Sequence, residues 1–193
     1  MLPIRPSRAV AVAVAVLAIA CGDLTRPQAT FMSTPNSYAL YAFTGAPVNG
    51  GTAITFLSSL PSRADAAYAF DVAFDLDSAG HPIIYPVRAI ASDLAGGVKR
   101  VGLQVVPGPF DAVREVPQVG YDTLSAKTVN VGDVLAIEML ELNSCLYSRG
   151  GQSLYAKLTV DSVNTTTRRL YARTVIDPNC GYRQVVPDSI PTN

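Results

Sequence analysis

The 193 residues contain no tryptophan, one histidine and three cysteines. Glu115, Glu138 and Glu141 are the only glutamates. Each scarcity excludes some chemistry. A Ser-His-Asp hydrolase needs a histidine to take the nucleophile's proton. Here that role falls to His81 alone, which stands between Gly80 and Pro82 at a hairpin end where an exposed ring is expected. No Gly-x-Ser-x-Gly elbow accompanies it. A hydrolase using His81 is therefore the least favoured class. A glycosidase needs two facing carboxylates, and no glutamate has a recognisable setting. No phosphate loop or dinucleotide fingerprint occurs, so no cofactor is implied. Charged residues make up 16% of the chain and sum to zero, so the basic footprint of a nucleic-acid binder is missing. No apolar run after the amino terminus approaches the roughly 20 residues a spanning helix needs.

The amino terminus is distinctive. Arg5 and Arg8 precede an uncharged small-apolar run, Ala9 to Ala20, of signal-peptide rather than bilayer-spanning length. Ala18-Ile19-Ala20 is a small-residue cleavage pattern. Leu17-Ala18-Ile19-Ala20-Cys21 resembles the lipobox of bacterial lipoproteins, with Ala18 where leucine is commoner. The resemblance implies removal of residues 1–20, acylation of Cys21 and attachment to a membrane through that lipid. Gly22, rather than aspartate, follows the cysteine, which in lipoproteins of two-membrane bacteria favours the outer membrane. An ordinary secretory signal cut at the same bond would instead leave a free thiol. Removing residues 1–20 takes away two arginines and no acids, leaving 13 basic and 15 acidic side chains.

Cys145 and Cys180 remain. An exported chain meets an oxidising compartment, which predicts one disulfide between them. The alternatives are two free thiols or a metal site, and the second lacks ligand spacing.

Periodicity then sets the fold class. Residues 21–37, with Pro27, Ser33, Thr34, Pro35 and Asn36, read as a lipidated tether. Residues 38–186 read as one β domain, and 187–193 as a polar tail. Tyr68, Phe70, Val72, Phe74 and Leu76 alternate with smaller or acidic residues, which predicts a strand with apolar side chains on one face and Asp71, Asp75 and Asp77 on a solvated other. Asp77-Ser-Ala-Gly80 supplies turn chemistry, and Ile83, Tyr85 and Val87 are expected to continue the inward face. Strands are also predicted at Tyr38–Phe43, Thr52–Ser58 and Lys99–Val106, with a turn or single helical turn at 61–66. Phe110–Glu115 reads as a short helix or a bent edge segment, and Tyr121–Ala126 as a crossing between sheets. Residues 133–142 contain good helix formers, but their β surroundings favour a strand. Ser153–Val163 and Arg168–Ile176 form a second hairpin around Asn164-Thr-Thr-Thr167. The sum is an all-β chain: an antiparallel β-sandwich or flattened barrel of eight or nine strands.

Several segments resemble a group of uncharacterised small envelope lipoproteins of two-membrane bacteria. They are Phe70-Asp-Val-Ala-Phe-Asp-Leu-Asp77, Val101-Gly-Leu-Gln-Val-Val-Pro107, Val131-Gly-Asp-Val, Tyr155-Ala-Lys-Leu-Thr-Val-Asp-Ser-Val163 and Asp177-Pro-Asn-Cys-Gly-Tyr182. The resemblance implies architecture and address, but no activity. Haem capture, known in some β-rich lipoproteins with a similar Tyr-Ala-Lys-Leu strand, does not carry over to a chain whose one histidine lies in a turn.

Three weaker sites complete the reading. Asp71, Asp75 and Asp77 offer oxygen ligands for a hard cation such as Ca²⁺, though Leu76 interrupts them and a solvated face is the plainer account. Tyr121, Tyr147 and Tyr182 near loops offer rings for a sugar, while packing at strand ends explains most such tyrosines. Lys157, Arg169 and Arg173 suggest a basic sheet surface that simply stays wet. The resulting expectation is a non-catalytic envelope lipoprotein with a structural or binding role. The rival is a glycan or small-molecule binding module.

Overall fold

The structure, a computed structural model, describes residues 28–58, 60–64, 69–91, 99–140, 145 and 153–192. The described residues form two five-stranded antiparallel sheets packed face to face. The larger sheet runs β1 (Thr34–Tyr41), β10 (Arg169–Asp177), β9 (Ser153–Asn164), β8 (Val134–Leu140) and β6 (Arg100–Val106). The smaller runs β3 (Pro61–Ser62), β2 (Ala53–Ile54), β4 (Val72–Leu76), β5 (Pro82–Pro86) and β7 (Lys127–Thr128). One helical turn, α1 (Val87–Ile90), follows β5. Within the ambiguous 133–142 stretch, Val134–Leu140 forms strand β8, as its surroundings predict, while 141 and 142 lie outside the described residues. A disulfide joins Cys145 to Cys180, with Cα atoms 5.6 Å apart.

The alternation seen in the sequence builds the space between the sheets. Leu154, Ala156, Leu158 and Val160 of β9 face Phe70, Val72, Phe74 and Ile84 across a continuous apolar core. Burying a side chain of Leu or Phe size contributes about 1.5–3 kcal/mol. The chain changes sheets at Tyr121–Ala126. Asp122 bridges Leu103 on β6, and β7 then pairs with β5. Lys127 holds Asp122 at 2.7 Å. That bond, with the N–H groups of Leu124 and Ser125, keeps the Asp122 carboxyl well below the usual carboxylate range.

Three expectations are corrected. First, Asp71 and Asp75 do not lie on a solvated face: they are 1% and 7% exposed, and all of β4 is buried. Neighbouring segments close over the outer side of β4, bringing Phe56 N–H to Asp71 and Thr44 to Asp75. Second, β5 has the opposite phase. Ile84, not Ile83 or Tyr85, is fully buried, because the Asp77–His81 turn sets a register that pairs Ile84 with Phe74; Val87 is buried as expected, but at the start of α1. Directly paired residues share a face. Tyr68 lies outside the described residues. Third, Lys157 is 1% exposed and belongs to no wet surface.

The limits of the domain also shift. Strand β1 begins at Thr34, ahead of the expected Tyr38, and pairs with β10 from there. Before it, Thr30 and Phe31 donate their N–H groups to Asn179 Oδ1 at 2.9 and 3.0 Å. Ser33 exchanges backbone hydrogen bonds with Asp188 and Ser189. The stretch read as tether is thus docked from its described start, and so is the tail. Within the stretch expected to be a turn or a single helical turn, Pro61–Ser62 is a short strand and Ala64 lies in a turn, while 65 and 66 lie outside the described residues.

The outer face of the larger sheet carries its own small core. Tyr155, Val175, Val134 and Ala136 lie beneath Phe110, Val113 and Val116 from the 107–117 segment and Val185 from the carboxy-terminal return. Residues 154–160 of β9 are consequently buried on both sides.

Candidate functional site

Two concave surfaces stand out among the described residues. The larger, about 470 Å³, opens on the outer face beside the 107–117 segment and is walled by Val106, Pro107, Val113, Val116, Pro117 and Arg183. Proline explains its shape. Pro107, Pro109 and Pro117 deny this stretch the donors of a regular ladder, so it arches over β9 instead of joining the sheet. Its far end is fixed by a short antiparallel bridge, Glu115 to Gln184. Val116 N–H donates to Arg183 O at 3.0 Å and Val185 N–H to Arg114 O at 2.8 Å. Arg183 pairs with Glu115 and donates from Nη1 to Val116 O at 2.9 Å.

The arch is latched from below. Lys157 Nζ donates to Phe110 O and Val113 O, both at 2.8 Å, and lies 4.5 Å from the Phe110 ring centre. Burial pushes the Lys157 ammonium below its ordinary pKa. Asp111 opposes that shift, and Arg114 and Arg173 add to it. Arg173 also lies over the Phe110 ring, at 4.8 Å, and is held by Asp161 at 2.8 Å. Arg169 lies 5.0 Å over Tyr41. The three cations therefore serve packing and pairing.

The second recess, about 290 Å³, lies between the two hairpin turns and is lined by Leu76, Asp77, Ser78, Gly80, Thr165 and Arg168. Gly80 has φ 89°, and a Cβ there would stand 2.7 Å from Thr165 Cγ2, so the two turns touch. Arg168, itself at φ 50°, reaches Asp75 Oδ1 at 2.7 Å and Thr44 O at 3.0 Å. Asp75 also accepts the Thr44 hydroxyl at 2.6 Å and the Leu76 N–H at 2.8 Å. Asp77 caps its own turn, accepting the Ala79 and His81 N–H groups at 2.8 Å. His81 Nδ1 is 3.0 Å from the same carboxylate, and these contacts hold the Asp77 carboxyl below its ordinary pKa.

The three aspartates thus have separate duties. Asp71 binds Phe56 N–H at 2.8 Å and Lys99 at 3.3 Å, Asp75 joins the two hairpins, and Asp77 builds a turn. No group of three or more His, Cys, Asp or Glu side chains suited to a metal occurs among the described residues. The two described candidate tyrosines each have a place in the packing. Tyr182 is buried, its hydroxyl accepting the Ala29 N–H at 3.2 Å. Tyr121 donates to Pro117 O at 2.7 Å, its ring 6.2 Å from that of Tyr155, and burial raises its pKa. Tyr147 and Cys21 lie outside the described residues. The cleft was not anticipated from the sequence; its only local signal is valine and proline crowding across 105–117. No family model matches the chain, and neither a curated protein nor a solved structure does.

Proposed function

We propose that the protein is a lipid-anchored component of the bacterial cell envelope, held at the outer membrane through Cys21, with a non-catalytic structural or binding role. The observation that carries this reading is Leu17-Ala18-Ile19-Ala20-Cys21 at the end of an uncharged apolar run. The Cys145–Cys180 disulfide supports it, because such bonds persist in oxidising compartments. Anchoring by several acyl chains far exceeds one, since each buried CH₂ contributes about 0.8 kcal/mol.

The 470 Å³ cleft supports a second reading, a binding module for a small apolar molecule, because concave and mostly apolar surfaces with a few polar groups are typical ligand sites. Mass spectrometry of the mature chain tests the first reading. An acylated amino terminus at Cys21, lost together with membrane retention in Cys21→Ser, is expected; an unmodified thiol overturns it. For the second, Val113→Arg would fill the cleft mouth and abolish binding of any apolar ligand found to co-purify.

A further inference from the structure

The pole where the described chain begins carries a group of exposed apolar side chains that the fold does not use. Phe31 and Met32 are 63% and 59% exposed, and Ile190 is 46% exposed. They are close in space, because Ser33 N–H donates to Ser189 O at 2.9 Å. Met32 and Ile190 each adjoin one end of that bond, and Phe31 is one residue further. Their backbone is held firmly. Asn179 Nδ2 donates to Phe31 O at 2.8 Å while its Oδ1 accepts from Thr30 and Phe31, and Ser33 is buried, its hydroxyl donating to Gln184 O at 3.2 Å. A rigid backbone thus presents flexible apolar groups outward.

Position supplies the occupant. Gln28, where the described chain starts, is seven residue steps beyond Cys21. At no more than about 3.6 Å per residue, that length reaches at most about 25 Å. If Cys21 carries the lipid, this pole is confined near the bilayer surface, whatever path those residues take. The opposite pole is distant: β1 runs from Thr34 to Tyr41, about 24 Å at 3.4 Å per residue, before the loop that carries Val48.

We propose that Phe31, Met32 and Ile190 form a membrane-contacting surface that inserts into the interfacial region of the bilayer and fixes the orientation of the domain on it. The proposal rests on the anchor reading above. Apolar groups at a protein surface favour the boundary between headgroups and acyl chains. A single lipid tether leaves a domain free to tumble, whereas a second contact about 25 Å or less away restricts it.

The protein has no tryptophan, so one introduced indole reports from one place. The test uses the mature acylated chain carrying Phe31→Trp, or Val48→Trp as a far-end control, in phosphatidylcholine vesicles with and without bromine on the acyl chains. Bromination should remove most emission from the Phe31→Trp protein and leave that of the Val48→Trp protein unchanged. Met32→Trp should behave as Phe31→Trp does. If acylated protein binds the vesicles and the Phe31→Trp and Met32→Trp emissions ignore bromination, the surface contact is wrong and the anchor stands. If mass spectrometry finds no acyl groups on Cys21, the anchor falls and the contact with it. If the Phe31→Trp emission follows protein concentration instead of bromination, the patch meets a second copy of the chain, which also overturns the proposal.

Discussion

The two faces of the larger sheet are covered by different materials. Its inner face meets another sheet, and the contact is predominantly apolar, from Leu40 on β1 to Met139 on β8, with Thr174 the buried exception beside Leu158. Its outer face meets an irregular arch, and the middle of that contact is a lysine. The difference follows from the backbone. A covering sheet brings its peptide groups already paired in a ladder, so it can present side chains alone. An irregular cover brings carbonyls without ladder partners, and a buried unpaired carbonyl is costly. Phe110 O and Val113 O are two such groups, and the three donors of Lys157 satisfy them both. Buried polarity on this face compensates for the missing ladder of its cover.

The largest test of this contrast is on the inner side. Phe74→Ala should lower unfolding free energy by about 3–5 kcal/mol in a denaturant titration, because its neighbours collapse little around the cavity. Replacing Cys145 and Cys180 together by serine should cost about 2–4 kcal/mol, through restored loop entropy in the unfolded chain. Neither change should alter the cleft.

Outer-face changes should be smaller. Lys157→Met keeps much of the volume but abandons two carbonyls, with an expected loss of about 1–3 kcal/mol; Lys157→Ala should lose more. A neutral Lys157→Met would break the comparison, since the carbonyls would then need no lysine. Titration sharpens the same point. Burial lowers the Lys157 pKa in the folded state, so between that value and 10.5 the unfolded chain holds more protons. Stability attributable to this group should therefore rise with pH through that window, by no more than about 1.4 kcal/mol per unit. Lys157→Met should remove that slope. The smallest effect is expected from Glu115→Gln on the rim, within about 1 kcal/mol, since Arg183 keeps its bond to Val116 O.

The sequence was most legible where local pattern suffices. The β9–β10 hairpin, its Asn164–Thr167 turn and the pairing of the last two cysteines follow from alternation and compartment, and all three are present. What alternation reports is which side chains share a face; it cannot report what lies over that face. Alternation alone places Asp71 and Asp75 in solvent, because their neighbours point inward. The segments that cover them arrive from 15 to 31 residues upstream, and the Arg168 guanidinium that pairs Asp75 lies 93 residues away. The burial of Lys157 is hidden for the same reason, since its acceptors are 44 and 47 residues distant. The cleft depends on a prolyl arch, and prolines announce that a ladder stops without saying where the chain goes next.

The register of β1 against β10 has a mechanical consequence. Eight successive residue pairs, Thr34–Ile176 through Tyr41–Arg169, join the first strand to its neighbour. Tension applied from the amino-terminal side runs along that strand, across its hydrogen bonds, so the bonds share the load at once instead of peeling in sequence. A body tugged by flow or by a bound partner would resist extraction best in that direction, and would yield more readily to force applied at Lys127–Thr128, where the edge strand offers only two pairs.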